Sequence, residues 1–175
     1  MKVYIVRHGQ VDSNIKKIYN ILDEDINETG IKETEQLKQK IQNLEYDVLY
    51  CSPLLRARHT ANIINFRNKE ILIDNRLEER SPGNLSGKPY EFTNREAYWD
   101  YYSDVKYGTE ESMQSLFDRI NSFLDELKMK QYENVLIVAH SGVSKAFYAY
   151  FNGIPEDGKF LNLGLKNGEM EEYNF

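Results

Sequence analysis

Short apolar runs alternate along this chain with longer stretches in which apolar residues recur every three or four positions. Lys2-Val-Tyr-Ile-Val6, Asp47-Val-Leu-Tyr-Cys51, Glu70-Ile-Leu-Ile-Asp74 and Val135-Leu-Ile-Val-Ala139 are rich in β-branched residues and lack polar alternation. That is the pattern of strands covered on both faces. From Glu111 to Lys128, Met113, Leu116, Phe117, Ile120, Leu124 and Leu127 fall on one helical face, which predicts a helix packed on the sheet. Gly30 to Leu44 repeats the logic with Leu37, Ile41 and Leu44, and Leu54 to Phe66 supplies another helix after the start signal Ser52-Pro53. The alternation predicts an α/β fold. Near the C-terminus, Lys166-Asn-Gly-Glu169 is a hairpin-turn cue, with two short closing strands expected around it.

Composition narrows the picture. A chain of 175 residues, 41% apolar, has the size of one compact domain with a substantial core. No repeat, low-complexity tract or Pro/Gly/Ser linker divides it, so residues 1–175 read as a single domain. The net charge of −6 offers no overall basic field for nucleic acid or anionic lipid, so local cations must hold any anionic ligand. No apolar run reaches membrane-spanning length, and Met1 to Val6 lacks the long apolar core of a signal peptide. A solitary cysteine, Cys51, fits a reducing compartment, so a cytoplasmic location is expected.

Parallel sheets collect active sites at the carboxyl ends of their strands. His8 follows the first strand and His140 follows the Val135 to Ala139 strand, while Arg56 sits in the first turns of the helix after Cys51. Transfer of a phosphoryl group needs a nucleophile, fixed cations or N–H donors around the phosphate oxygens, and a proton donor for the departing alkoxide. Arg7-His8-Gly9-Gln10 sets a guanidinium beside an imidazole, and Gly9 permits a tight turn whose amides could face an anion. A neutral imidazole attacks phosphorus with one ring nitrogen only if the other keeps its proton, so His8 needs a hydrogen-bond acceptor.

Ser52-Pro-Leu-Leu-Arg56-Ala, Leu77-Glu-Glu79-Arg-Ser-Pro-Gly83 and Ala139-His140-Ser-Gly142 stand at corresponding places. Together with Arg7-His8-Gly9 they resemble the histidine phosphatase superfamily, also called phosphoglycerate mutase-like, across essentially the whole chain. The resemblance implies a three-layer α/β/α fold with a mostly parallel central sheet and a small cap insertion at about 84–110. It implies His8 as nucleophile, Arg7 and Arg56 as phosphate ligands, Glu79 as proton donor with Glu78 as its rival, and His140 as the second catalytic histidine. Gln10 and Asn14 fall in the stretch after Arg-His-Gly and, with the backbone of Ser141, complete the implied substrate-binding set. Val11 replaces the usual threonine and is left out. Where the family often has arginine this chain has Ser144-Lys145, and Lys145 is assigned no role.

The implied activity is metal-independent hydrolysis of a small phosphorylated metabolite through a phosphohistidine, with no cofactor. Sugar phosphates and α-ribazole phosphate are candidate substrates. The cofactor-dependent mutases of the family carry a larger insertion after the glutamate loop, so mutase activity ranks second, and an inactive phosphometabolite sensor third. A carboxyl group must carry a proton to donate it, and a nearby dianion favours that form. A bound phosphate likewise favours a cationic His140.

Competing motifs fail on spacing. A cysteine-dependent phosphatase needs five residues between cysteine and arginine, whereas Ala57 occupies that place after Cys51. Ala139-His-Ser141-Gly-Val143 resembles a nucleophile elbow, but no histidine follows His140. His59 has no partner at metal-ligand spacing, and Asp23-Glu24-Asp25 reads as a solvated acidic turn. An aromatic run from Phe92 to Tyr107, with Tyr98, Trp99, Tyr101, Tyr102 and Tyr107, could stack on the organic part of a substrate or simply pack.

Overall fold

The computed structural model describes residues 1–175. Five strands form one sheet: β1 (Lys2–Arg7), β2 (Val48–Cys51), β3 (Ile71–Ile73), β4 (Asn134–Ala139) and β5 (Met170–Asn174), in the order β3-β2-β4-β1-β5. The first four run parallel, and β5 pairs antiparallel with β1 at one edge. Six helices accompany them: α1 (Asp12–Lys16), α2 (Glu28–Lys40), α3 (Leu55–Ile64), α4 (Arg95–Tyr98), α5 (Met113–Lys128) and α6 (Ser141–Asn152).

Strand alternation builds the two faces. Val3 and Ile5 of β1, with Val135, Ile137 and Ala139 of β4, join the core cluster beneath α5 and α6. Tyr4, Val6, Leu136 and Val138 point the other way into a smaller cluster with Leu37 of α2 and Ala57, Ala61 and Ile64 of α3. Helices therefore cover both faces, and the fold is a three-layer α/β/α sandwich with a mostly parallel sheet. No helix is long and apolar enough to cross a membrane.

Two expectations need correction. The second helix begins before Gly30, because the side chain of Asn27 accepts from the Gly30 amide and caps α2, and it ends at Lys40 rather than Leu44. The Lys166–Glu169 turn forms, with the Glu169 amide donating to the Lys166 carbonyl, but only one strand flanks it. β5 finds its partner in β1, and the segment before the turn is irregular because its carbonyls are used elsewhere. Leu165 gives its carbonyl to Arg7, and Leu161 and Leu163 give theirs to Lys145.

Candidate active site

Sheet register brings the two histidines together. β1 and β4 are adjacent and parallel with Arg7 opposite Ala139, so His8 and His140 leave the same sheet edge side by side. The His8 amide donates to the Ala139 carbonyl at 3.1 Å, and the Ser52 amide after β2 donates to Val138 at 3.0 Å. The imidazole rings of His8 and His140 meet edge to face, with centroids 5.1 Å apart.

His8 Nδ1 lies 2.7 Å from the Gly9 carbonyl oxygen. A carbonyl only accepts, so this bond fixes the proton on Nδ1 and leaves Nε2 with a free lone pair. Burial, then the charges of Arg56 and Arg7, pushes the His8 pKa well below its ordinary value, which keeps the ring neutral. His140 is also driven well below the ordinary range, by burial first and Arg56 second. Its Nε2 lies 2.7 Å from Ser52 Oγ, and its Nδ1 has no protein partner. Burial and the neighbouring cations thus favour the neutral form of His140, and a bound anion would act in the opposite direction.

Both arginines carry donors that the protein does not use. Arg56 is buried from the first turn of α3, with Nη1 donating to the carbonyls of Ile21 and Leu22 and Nη2 unpaired. Arg7 donates from Nη1 to Leu165, and its Nε is unpaired. Burial draws both guanidinium pKa values down and the Glu79 charge opposes the shift, but arginine stays cationic in proteins.

Glu79 accepts from the Arg80 amide at 2.8 Å and from the Gly142 amide at 3.0 Å, which sets it over the first turn of α6. Arg119 of α5 steadies this loop by donating to the carbonyls of Arg76, Glu78 and Glu79 while paired with Glu111. Glu79 lines the same cavity as His8 and Glu78 does not; both border a second hollow beside Asn75 and Arg119.

That cavity, of about 190 Å³, is walled by Arg7, His8, Asn14, Arg56, Glu79 and Ser141 among others. His140, fully buried and edge to face with His8, is not itself among the wall residues. Gln10 is not in the wall: its side-chain oxygen accepts from Asn27 and its amide donates to Glu33, which ties it to the start of α2. Gly9 also serves otherwise than expected. Its amide donates to Thr60 Oγ1 rather than facing an anion, and a β-carbon there would lie 2.4 Å from the Gly30 carbonyl oxygen. Close backbone approach is what requires glycine at this position.

Sequence reasoning left out Lys145 and Arg95, which both line the cavity. The aromatic run divides: Tyr98 and Trp99 join the wall, Tyr101 packs on Phe117, Tyr107 bonds Asn94, and Tyr102 faces solvent. Among the competing motifs, Cys51 is fully buried with its thiol pushed up to about 12 by burial. His59 pairs with Asp25 at 3.0 Å, and Glu24 accepts from the amide and hydroxyl of Ser13. No three His, Cys, Asp or Glu side chains converge as a metal-binding group.

A neutral nucleophilic nitrogen, two guanidinium groups and a carboxylate around one hollow are the parts of a phosphoryl-transfer centre. A model of the histidine phosphatase superfamily (branch 1) matches residues 3–175, and the chain belongs to that superfamily. It is 34% identical to a candidate phosphoserine phosphatase, numbered 2, of Hydrogenobacter thermophilus, over 98% of this chain and 88% of that protein. It is 31% identical to the metal-independent phosphoserine phosphatase of Arabidopsis thaliana, over 94% of this chain and 74% of the relative. The crystal structure of the α-ribazole phosphatase of Shigella flexneri shares the fold, with a TM-score of 0.83 at 24% identity over 98% of this chain and 89% of the other.

Proposed function

We propose that this chain hydrolyses small phosphomonoesters without a metal, through a phosphohistidine on His8. The observation that carries the reading is the 2.7 Å bond from His8 Nδ1–H to the Gly9 carbonyl, which frees Nε2 on the cavity wall between Arg7 and Arg56. Nε2 attacks phosphorus, the N–P bond forms, and the ester P–O bond breaks. Glu79, protonated, gives its proton to the departing alkoxide, then as a carboxylate takes a proton from the water that cleaves the N–P bond. Inorganic phosphate leaves and both groups are restored.

Arg7 and Arg56 neutralise the charge on the transferring group, and His140 Nδ1 adds a polar contact that strengthens if the ring is protonated beside the dianion. Leaving a buried polar group unpaired costs about 1–3 kcal/mol. Arg7, Arg56 and His140 each carry one such atom, which supports a pocket shaped for a multivalent oxyanion. Asn14 and the start of α6 at Ser141 supply further polar contacts on the wall. Gln10 has no part in this scheme.

The test is release of p-nitrophenol from p-nitrophenyl phosphate in excess chelator, with trapping of an acid-labile phosphoenzyme that disappears in His8→Ala. Full turnover in that variant excludes the mechanism. An assay of phosphoglycerate interconversion with and without bisphosphoglycerate separates a mutase from a phosphatase.

A further inference from the structure

Attack on phosphorus draws electron density out of the His8 ring, so the imidazole gains positive charge as the N–P bond forms. Its surroundings oppose that charge: burial and the guanidinium groups of Arg56 and Arg7 all disfavour a cationic ring. The ring's one hydrogen bond to the protein, from Nδ1–H to the Gly9 carbonyl, strengthens as the charge grows.

That carbonyl belongs to the peptide unit between Gly9 and Gln10, and the amide of the same unit donates to Glu33 Oε2 at 2.8 Å. No peptide bond of the chain is cis, so the C=O and N–H of this unit point in opposite directions. Glu33 and the His8 ring thus stand at the two ends of one peptide dipole. A carboxylate at the N–H end favours the resonance form with negative charge on oxygen, which makes the Gly9 carbonyl a stronger acceptor. Glu33 is not part of the cavity wall.

Helix α2 delivers the carboxylate. Gly30 meets Gly9 backbone to backbone, and Glu33 and Thr34 follow three and four residues later on the same helical face. On its other side Glu33 packs against Gly168, where an added β-carbon would lie 3.0 Å from that of Glu33. The Gly168 amide in turn donates to the Arg7 carbonyl.

We propose that Glu33 is a positioning residue for the nucleophile, acting through the Gly9–Gln10 peptide to hold the Nδ1 proton of His8 and to offset the charge that develops on its ring. This rests on the phosphohistidine reading and adds a carboxylate–peptide–imidazole relay to it. The relay moves no proton. Nε2 forms the N–P bond, the ester P–O bond breaks, Nδ1 keeps its hydrogen, and Glu33 acts by polarisation alone. The charge of Glu33 also supports the cationic form of Arg7. Action by that route would change phosphate binding, whereas action through the peptide changes the rate of N–P bond formation.

Glu33→Gln keeps an oxygen for the Gln10 amide and loses only the charge, and Glu33→Met loses both. In rapid-quench experiments at saturating p-nitrophenyl phosphate, phosphohistidine forms about 5-fold more slowly in Glu33→Gln, the difference between hydrogen bonds to charged and neutral partners, and more slowly again in Glu33→Met. Inhibition by inorganic phosphate stays that of the wild type. In proton NMR the Nδ1–H signal of His8, assigned by its absence from His8→Asn, moves upfield in Glu33→Gln. An unchanged rate, an unmoved signal, or a loss of rate explained by weaker phosphate binding overturns the proposal. So does a wild-type Nδ1–H that exchanges with water as fast as that of free imidazole, a result that needs no variant to fold. A wild type that forms no phosphohistidine would overturn the underlying phosphatase reading instead.

Discussion

The amide of Gly142 donates to both carboxylate oxygens of Glu79, at 3.0 and 3.2 Å, so the first turn of α6 holds the acid of the proposed mechanism in place. A β-carbon on Gly142 would lie 2.2 Å from Glu79 Oε1 and 3.2 Å from the Trp99 ring. The carboxylate is the end of a flexible side chain and can move, whereas the backbone around it need not. Gly142→Ala should therefore fold with a stability change within about 1 kcal/mol, the scale of the Gly-to-Ala helix propensity difference. Its kcat on esters with poor leaving groups should fall by at least about 10-fold, as expected for a displaced catalytic group. Urea unfolding beside steady-state kinetics separates the two effects.

Glu79 and Glu78 stand next to each other in the chain, but of the two only Glu79 lines the cavity of His8. Glu79→Gln should slow hydrolysis of alkyl phosphates by about 10²–10⁴, and of p-nitrophenyl phosphate by less, because an activated leaving group needs little help from an acid. Glu78→Gln should change both rates by less than about threefold, since a side chain outside the cavity gives the transition state no proton. Equal losses in the two variants would remove Glu79 from its role.

Both buried imidazoles have native pKa values well below the ordinary 6.5, so they bear on stability. As pH falls through about 6.5 the unfolded chain takes up two protons that the native state refuses. The unfolded state then binds more protons, and unfolding free energy falls with decreasing pH by up to about 1.4 kcal/mol per unit for each histidine. Above about pH 7 both states hold the rings neutral, and this contribution is flat. Denaturation of wild type and His8→Asn between pH 5 and 7.5 should show a shallower slope in the variant, and parallel curves would count against the buried neutral ring.

Gly9 meets the backbone of Gly30, where a side chain on either would strike main-chain atoms, and helix α2 would have to move away from β1. Gly9→Ala should cost about 1–3 kcal/mol, the usual penalty of overpacking, and loosen the loop that aims His8. A lowered urea midpoint with an unchanged m-value would agree, and unaltered stability would not.

The strands were legible because β1 and β4 are covered on both faces and carry unbroken apolar runs. Helix ends were less so, because the cap of α2 depends on how Asn27 turns its side chain. His8, Arg7, Arg56 and His140 were readable by position after strands and in the first turns of helices. Lys145 and Arg95 were not, since what makes each notable comes from distant segments: carbonyls of residues 161 and 163 around one, and rings of Tyr90 and Trp99 beside the other. The role of Gly9 was misread for the same reason, because its neighbour Gly30 is close only after α2 docks.

The bond from Arg7 to the Leu165 carbonyl joins positions 158 residues apart, and the Gly168 amide and the Asn167 side chain also reach back to the backbone of Arg7 and His8. A ribosome finishes the strand that leads into His8 long before it makes the turn that anchors it. The imidazole of His8 therefore stays without these anchors until residues 165–168 have been made and have docked beside the first strand.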